Sequence, residues 1–264
     1  MTFSVECAVR SVARAAFGVD VDTAQLAAMV AEVGDDPAAL QALAARANSF
    51  AWATLPAQQS ISDHSQNGEL LILLRELVAR GTRHGIVVDV GANGRTGSNS
   101  YDLLTQFGWK GLLIEANPAL LPRIRLEFGD TDYRLIDCAV GIEPGRLPLH
   151  IGVGDPVSSL LLDHVQGFGA SPGSVEVEVR RLPDILAEAG IPHDFDILDL
   201  DIEGMDDDVL NDLIATSSYR PRWVVIETVL AADAPLAQSR LSDQVTSLYE
   251  LVGRTAPNLI LRAR

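Results

Sequence analysis

Basic residues are scarce in this 264-residue chain: 20 lysines and arginines stand against 36 aspartates and glutamates, a formal charge of −16. Binding along a nucleic-acid backbone needs clustered cations, so the deficit argues against DNA or RNA as a partner. It leaves room for a small nucleotide cofactor, which backbone amides can hold, and for a site that keeps carboxylates for a metal. Cysteine is nearly absent. Cys7 and Cys138 form neither a CxxC pair nor a disulfide framework, which points to a reducing compartment. No run approaches the ~18–20 apolar residues of a membrane span. The opening segment, residues 1–20, lacks the long apolar stretch and small-residue cleavage site of a signal peptide. The expectation is a soluble, cytoplasmic protein with no membrane partner.

What is present supports a folded protein. At 47% hydrophobic the chain can bury a substantial core. Its length suits one α/β domain with an appendage better than two full domains. Residues 1–60 are alanine-rich, with apolar positions at helical spacing over 23–33 and 37–46. Asp35 or Asp36 is placed to cap the second of these helices, with Pro37 in its first turn. Short helices with one apolar face need a partner surface. The options are a lid, a contact in a homodimer, or simple packing on the main domain, and packing is the plainest. We therefore expect a helical extension over 1–60 and a main domain over 61–264.

The main domain alternates. Glu69 to Arg80 reads as a helix. Apolar strands are expected at Ile86–Val90, Gly111–Glu115, Tyr133–Val140, Asp196–Asp201 and Trp223–Glu227, with helices at Asn99–Phe107 and Pro118–Phe128. Such alternation implies a mainly parallel sheet covered on both faces. Leu147–Gly173 breaks the rhythm with glycines, prolines and two histidines, and an excursion of that kind is often functional. Val175–Arg180 alternates with period two, as an accessory strand would. The C-terminal end reads as a helix over Pro235–Leu248 followed by an antiparallel hairpin around Ala256-Pro257. One continuous helix to Arg254 is the alternative.

Val88-Asp-Val-Gly-Ala-Asn-Gly lies where the first strand turns into a helix. Gly91 and Gly94 let the chain bend and let a ligand approach the backbone. Glu115 ends the next strand, where a carboxylate can accept both hydroxyls of a ribose. NAD enzymes share that acid but use a G-x-G-x-x-G turn to admit a pyrophosphate. Here the turn opens on a carboxylate, Asp89, which suits a cationic amino-acid tail and so favours S-adenosylmethionine. Asp137, ending the third strand, is placed to accept from the adenine amino group. Asn93, Cys138 and Asp199 complete the cofactor-binding candidates.

In order along the chain, Ser65-Gln-Asn-Gly-Glu, Val88-Asp-Val-Gly-Ala-Asn-Gly, Ile114-Glu-Ala-Asn-Pro, Ser158-Ser-Leu, Leu198-Asp-Leu-Asp-Ile-Glu-Gly-Met-Asp and Val225-Ile-Glu resemble the FkbM-type branch of class I methyltransferases. The resemblance covers most of 65–264 and implies a Rossmann-like fold with a seven-stranded sheet and a C-terminal antiparallel hairpin. It implies methyl transfer from S-adenosylmethionine, commonly to a hydroxyl of a sugar or polyketide-type metabolite. Where the family's fourth-strand motif usually has lysine, this chain has Asp199, which alters the charge of the site. The fourth- and fifth-strand acids also resemble those of magnesium-dependent sugar O-methyltransferases, in which two such acids share the metal; the matching positions are Asp201 and Glu227.

The residues themselves carry the same chemistry. Asp199, Asp201 and Glu203 alternate at the end of one strand, and three in an extended chain would face one side. The strand ends near Asp201, so Glu203 can turn away. Acids converging with Glu227 repel one another unless a cation or protons intervene. Oxygen ligands favour Mg²⁺, so Asp201, Glu203 and Glu227 are the candidate metal ligands. The metal would lower the pKa of an acceptor hydroxyl. His164 is the first candidate for the general base, with Asp201 and His150 behind it. His193 reads as a loop residue, Asp206-Asp-Asp as an acidic helix start, and Trp109 and Trp223 as core. Gln66 and Glu69 are placed to touch cofactor or substrate, though Glu69 equally opens a helix. The alternatives are a metal-independent methyltransferase of another small metabolite, an NAD-dependent oxidoreductase, and a non-catalytic cofactor-binding module.

Overall fold

The structure, a computed structural model, describes residues 62–264 apart from 153–157, 168–172, 229, 232–233 and 256–257, together with a few positions among 27–39. Two compact units divide the chain: residues 1–62 with 77–82, and residues 63–76 with 83–264. The few described positions of the first unit between 27 and 39 are helical. The rest of the expected N-terminal helices lie outside the described residues.

The second unit is α/β. Its elements run α1 (Glu69–Ala79), β1 (Ile86–Val90), α2 (Tyr101–Phe107), β2 (Lys110–Glu115), α3 (Leu121–Phe128), β3 (Tyr133–Asp137), β4 (Ala139–Val140), β5 (Gly145–Ile151) and β6 (Ser158–Ser159). They continue with α4 (Leu162–Gly167), β7 (Gly173–Arg180), α5 (Leu182–Ala189), β8 (Ile197–Leu200), α6 (Asp206–Thr216), β9 (Trp223–Glu227), a 3-10 turn at Leu236–Gln238, α7 (Asp243–Leu248), β10 (Tyr249–Arg254) and β11 (Asn258–Ala263).

Seven strands form the main sheet in the order β10-β11-β9-β8-β1-β2-β3. β3, β2, β1, β8 and β9 are parallel, while β11 runs antiparallel to both β9 and β10. The sheet is the Rossmann-like arrangement the sequence implies. Strands β1, β8 and β9 are mostly valine, isoleucine and leucine and are largely buried, as parallel strands must be when helices cover each side. Leu182, Ile185 and Leu186 of α5 and Val209, Leu210, Leu213 and Ile214 of α6 recur at helical spacing and pack into the same core. Chain order reverses between β1 and β8. Open α/β sheets take ligands in the crevice outside the strand ends at such a point.

Several boundaries differ from the sequence reading. The expected strand over Tyr133–Val140 breaks at Cys138: Ala139-Val140 leaves the main sheet to pair in parallel with Val179-Arg180. The accessory strand is one of four in a second sheet, β4-β7-β5-β6, so the irregular segment begins and resumes as strand. The expected helix over Pro235–Leu248 is a 3-10 turn and a short helix. Asn211 accepts from the Ser242 backbone N–H at 2.7 Å, and the Ser242 hydroxyl caps α7 by accepting from Val245, which restarts the helix there. The closing hairpin forms, and the continuous-helix alternative does not. Tyr249 is fully buried at its start and donates to the Pro221 carbonyl at 2.9 Å. Trp109 and Trp223 are core residues, and His193 lies in a loop beside Ser218 and Tyr219.

Candidate active site

One cleft runs along the carboxyl ends of the parallel strands in two compartments. Both are lined by Gly91, Asn93, Asp201 and Glu203. The first continues past Glu115, Ala116, Leu120 and Cys138 to Val140, Leu149 and Leu160 of the second sheet and the loop after it. The second, about 440 Å³, is bounded by Gln66, Asp89, the turn from Gly91 to Asn99, Arg123 and Asp199. That is the size of a small-molecule pocket.

The turn after β1 is built by close approach. A Cβ on Gly91 would sit 1.9 Å from the Asp201 carbonyl oxygen, and its φ of 95° lies in the left-handed region, so only glycine fits. The Gly91 and Ala92 amides donate to Ile114 at the end of β2, and the Asp201 amide donates to Val90. The three strand ends that face the cleft are thereby tied together.

Asp89 and Asp199 occupy paired positions on β1 and β8, so their side chains share a face. Both are almost fully buried. Burial pushes the Asp89 carboxyl up to about 6, although the Ser100 hydroxyl, which donates to it, pulls the other way. Burial, and then the charge of Asp89, hold Asp199 well above the usual range, against a hydrogen bond from the Asn99 amide at 3.1 Å. Glu115 is buried and pushed up to about 7 by that burial, despite accepting from the Asn117 backbone N–H at 2.6 Å. Asn117 in turn accepts from Ala119, so the turn after β2 fixes the Glu115 side chain.

One carboxylate oxygen each from Asp201, Glu203 and Glu227 lie within 4.8 Å of one another, and the first two of these residues line both compartments. Asp201 is open to the cleft on one side and surrounded by protein on the others. Burial and the charges of Asp206, Glu227, Glu203 and Asp199 push its carboxyl upward, and access to water in the cleft moderates that push. Glu227 is raised by burial and by Glu203. Glu203 does not turn away from this group. It adopts φ 59°, the one non-glycine residue in the left-handed region among those described. Such a conformation costs on the order of 1–2 kcal/mol and persists only where its surroundings fix it. Three contacts do so: the Ser159 hydroxyl donates to the Glu203 carbonyl at 2.7 Å, His164 Nε2 lies 2.8 Å from its carboxylate, and the Asp206 carboxylate accepts from the flanking amides of Ile202 and Gly204.

His164, in the short helix α4, therefore reaches the acidic cluster through Glu203, although it lines neither compartment itself. His150 does not line the cleft; its neighbour Leu149 faces inward, and adjacent strand residues face opposite ways. Asp137 is exposed at the end of β3 and Cys138 lines the cleft instead, its thiol pushed up to about 12 by burial. Glu69 opens α1 and is fully buried. Burial raises its carboxyl, but hydrogen bonds from Thr255, Asn258 and the Asn67 amide outweigh it and hold the group below the usual range. Gln66 lines the second compartment.

The sequence reading missed Asn99 and Ser100, which hold the two buried aspartates, and Arg123, which reaches the turn from α3. It also took Asp206 and Asp207 as no more than a helix start. Asp206 braces the Glu203 turn, and Asp207 accepts from Thr228 beside Glu227 at 3.1 Å. The polar run Ser98-Asn-Ser at the foot of a helix was the available signal for the first pair.

A cleft at the switch point of a parallel sheet, an acid ending the second strand and a turn that opens on a carboxylate define an enzyme of the Rossmann-like, class I methyltransferase type. Residues 89–234, more than half of the chain, match the family model described as Methyltransferase FkbM domain, and the chain belongs to that family. It is a methyltransferase, and the family implies S-adenosylmethionine as the methyl donor. The oxidoreductase alternative is thereby set aside. No curated protein matches the chain. Among the described residues, no helix is long and apolar enough to cross a membrane.

Proposed function

We propose that the protein is an S-adenosylmethionine-dependent O-methyltransferase acting on a hydroxyl of a sugar or glycosylated metabolite with the help of a divalent metal. The observation that carries this reading is the convergence of Asp201, Glu203 and Glu227, two of which line both compartments of the cleft. Glu115 and Cys138 would hold the cofactor's adenosine in the first compartment, and Asp89 and Asp199 would hold its amino-acid tail in the second.

The donor set fits a hard cation. All three groups offer oxygen, and burial together with mutual repulsion makes the bare cluster unfavourable without positive charge. When bound, Mg²⁺ would polarise adjacent hydroxyls of a saccharide and acidify the one that reacts. The protein's own residues supply the rest. Glu203 orients the His164 imidazole, which takes the acceptor's proton. The acceptor oxygen forms a bond to the methyl carbon as the carbon–sulfur bond breaks. Its electron pair stays on sulfur, leaving neutral S-adenosylhomocysteine, and His164 later gives its proton to water. The saccharide class accords with a cleft whose charged lining is mostly acidic, which disfavours anionic acceptors.

The test is methyl transfer from labelled S-adenosylmethionine to a panel of saccharides and glycosides, with and without a chelator. We expect activity that chelation removes and Mg²⁺ restores, falling at least 100-fold in Asp201→Ala and in His164→Ala, the scale of a lost general base. Activity that survives chelation and Asp201→Ala rejects the metal and favours His164 with Glu203 acting alone.

A further inference from the structure

The cofactor tail proposed for the second compartment carries an α-ammonium and an α-carboxylate. Asp89 and Asp199 suit the first. The second faces a difficulty: four acids, Asp89, Asp199, Asp201 and Glu203, line that compartment. A carboxylate entering it needs a fixed cation. Among the described lining residues Arg123 is the one positively charged side chain.

Arg123 is held for such a task. Its Nη2 donates to the Asn93 backbone carbonyl and to Asn93 Oδ1 at 2.7 Å, which fixes the guanidinium against the turn. Nε lies 3.9 Å from Glu127 and is buried without a hydrogen-bond partner. Glu127 is itself engaged by the Arg95 amide at 2.6 Å, so it neutralises Arg123 only in part. Gly94 leaves the space that the guanidinium occupies: a Cβ there would meet Arg123 Nε at 2.8 Å. Nε is enclosed by the turn, but the side chain as a whole is 36% exposed and lines the compartment, so its positive charge borders the space a ligand would fill.

We propose that Arg123 is the specificity residue for the cofactor's α-carboxylate, completing with Asp89 and Asp199 a cradle for a zwitterionic amino-acid tail. The inference rests on the S-adenosylmethionine reading of the cleft. A planar guanidinium matches a carboxylate with paired donors, and a charge-assisted contact of this kind outweighs a neutral one.

The test is calorimetric titration of the full-length protein with two ligands, S-adenosylhomocysteine and its decarboxylated analogue, which keeps the amine and lacks the carboxylate. We expect the unaltered protein to prefer S-adenosylhomocysteine by about 10- to 100-fold, the ratio of one charge-assisted contact. Arg123→Met should abolish that preference while leaving affinity for the analogue within about 3-fold, a shift of less than 1 kcal/mol. Arg123→Lys keeps the charge but not the fork, so it should narrow the preference and provides the reading if the methionine variant does not fold. Equal weakening of both ligands, or an unchanged preference in either variant, overturns the inference and leaves Arg123 as a prop for the turn. If the unaltered protein binds neither ligand, the cofactor reading fails, and this inference with it.

Discussion

Glu115 shows how a single side chain can tie stability to pH. Its carboxyl is raised from the ordinary 4.5 to about 7, chiefly by burial. In the unfolded chain it ionises near 4.5, while the folded protein holds the proton until about 7. The folded state therefore binds more protons across that window, and stability falls as pH rises through it. The contribution is complete below about pH 4.5 and gone above about 7. Glu115→Gln cannot ionise and removes that slope. Urea melts of both proteins at pH 5 and pH 8 should show the variant gaining on the parent by up to about 3 kcal/mol between the two conditions. A difference that does not change with pH would mean that Glu115 ionises normally in the fold. The identity of this residue was legible because it ends a strand directly after the one carrying Asp89. Its environment was not, since the compartment it lines is completed by Val140 and Leu149 of the second sheet, which are remote in sequence and irregular in pattern.

At the scale of elements, the first turn of α6 is the piece that joins the site. Asp206 accepts from the amides of Ile202 and Gly204, and Asp207 accepts from Thr228, so one helix start braces both acid-bearing strand ends. Asp206→Ala removes two hydrogen bonds to part-buried amides, and each should cost about 1 kcal/mol. Thr228→Val removes one hydrogen bond to a buried carboxylate, at about 1–2 kcal/mol. We expect chemical melts to rank them in that order. Methyl transfer should fall in Asp206→Ala beyond what the loss of folded protein explains, because the left-handed Glu203 loses its support. Full activity in a folded Asp206→Ala would show that the brace is structural only. This role was hidden in the sequence, where Asp206-Asp-Asp fits an ordinary helix start favoured by the dipole. The parallel strands were legible because each is a short, continuous apolar run. The second sheet was not: Pro148 and flanking glycine mask β5, and its pairing with β7 is made across a long excursion. Cys138 and Asp137 illustrate a one-residue ambiguity, since the step at which β3 ends decides which of two neighbours meets the cleft.

The whole molecule carries a charge of −16, and its structure gathers several of those acids at one edge of the sheet. Self-repulsion of that kind weakens the compact state, and cations of any sort relieve part of it by screening. A built metal site goes further, because a ligand that binds only the folded state adds RT ln(1 + [L]/Kd), about 2.7 kcal/mol at one hundred times Kd. For a chain of this length that is a rise in Tm of roughly 5–10 °C. On the proposed metal reading, MgCl₂ should raise Tm well beyond NaCl at equal ionic strength, and Glu227→Gln should cancel the excess while keeping the response to salt. Calorimetric scans at matched ionic strength separate the two effects. Equal rises with the two salts would reduce the acidic cluster to a patch of surface charge, and the activation of the acceptor would then fall to His164 and Glu203.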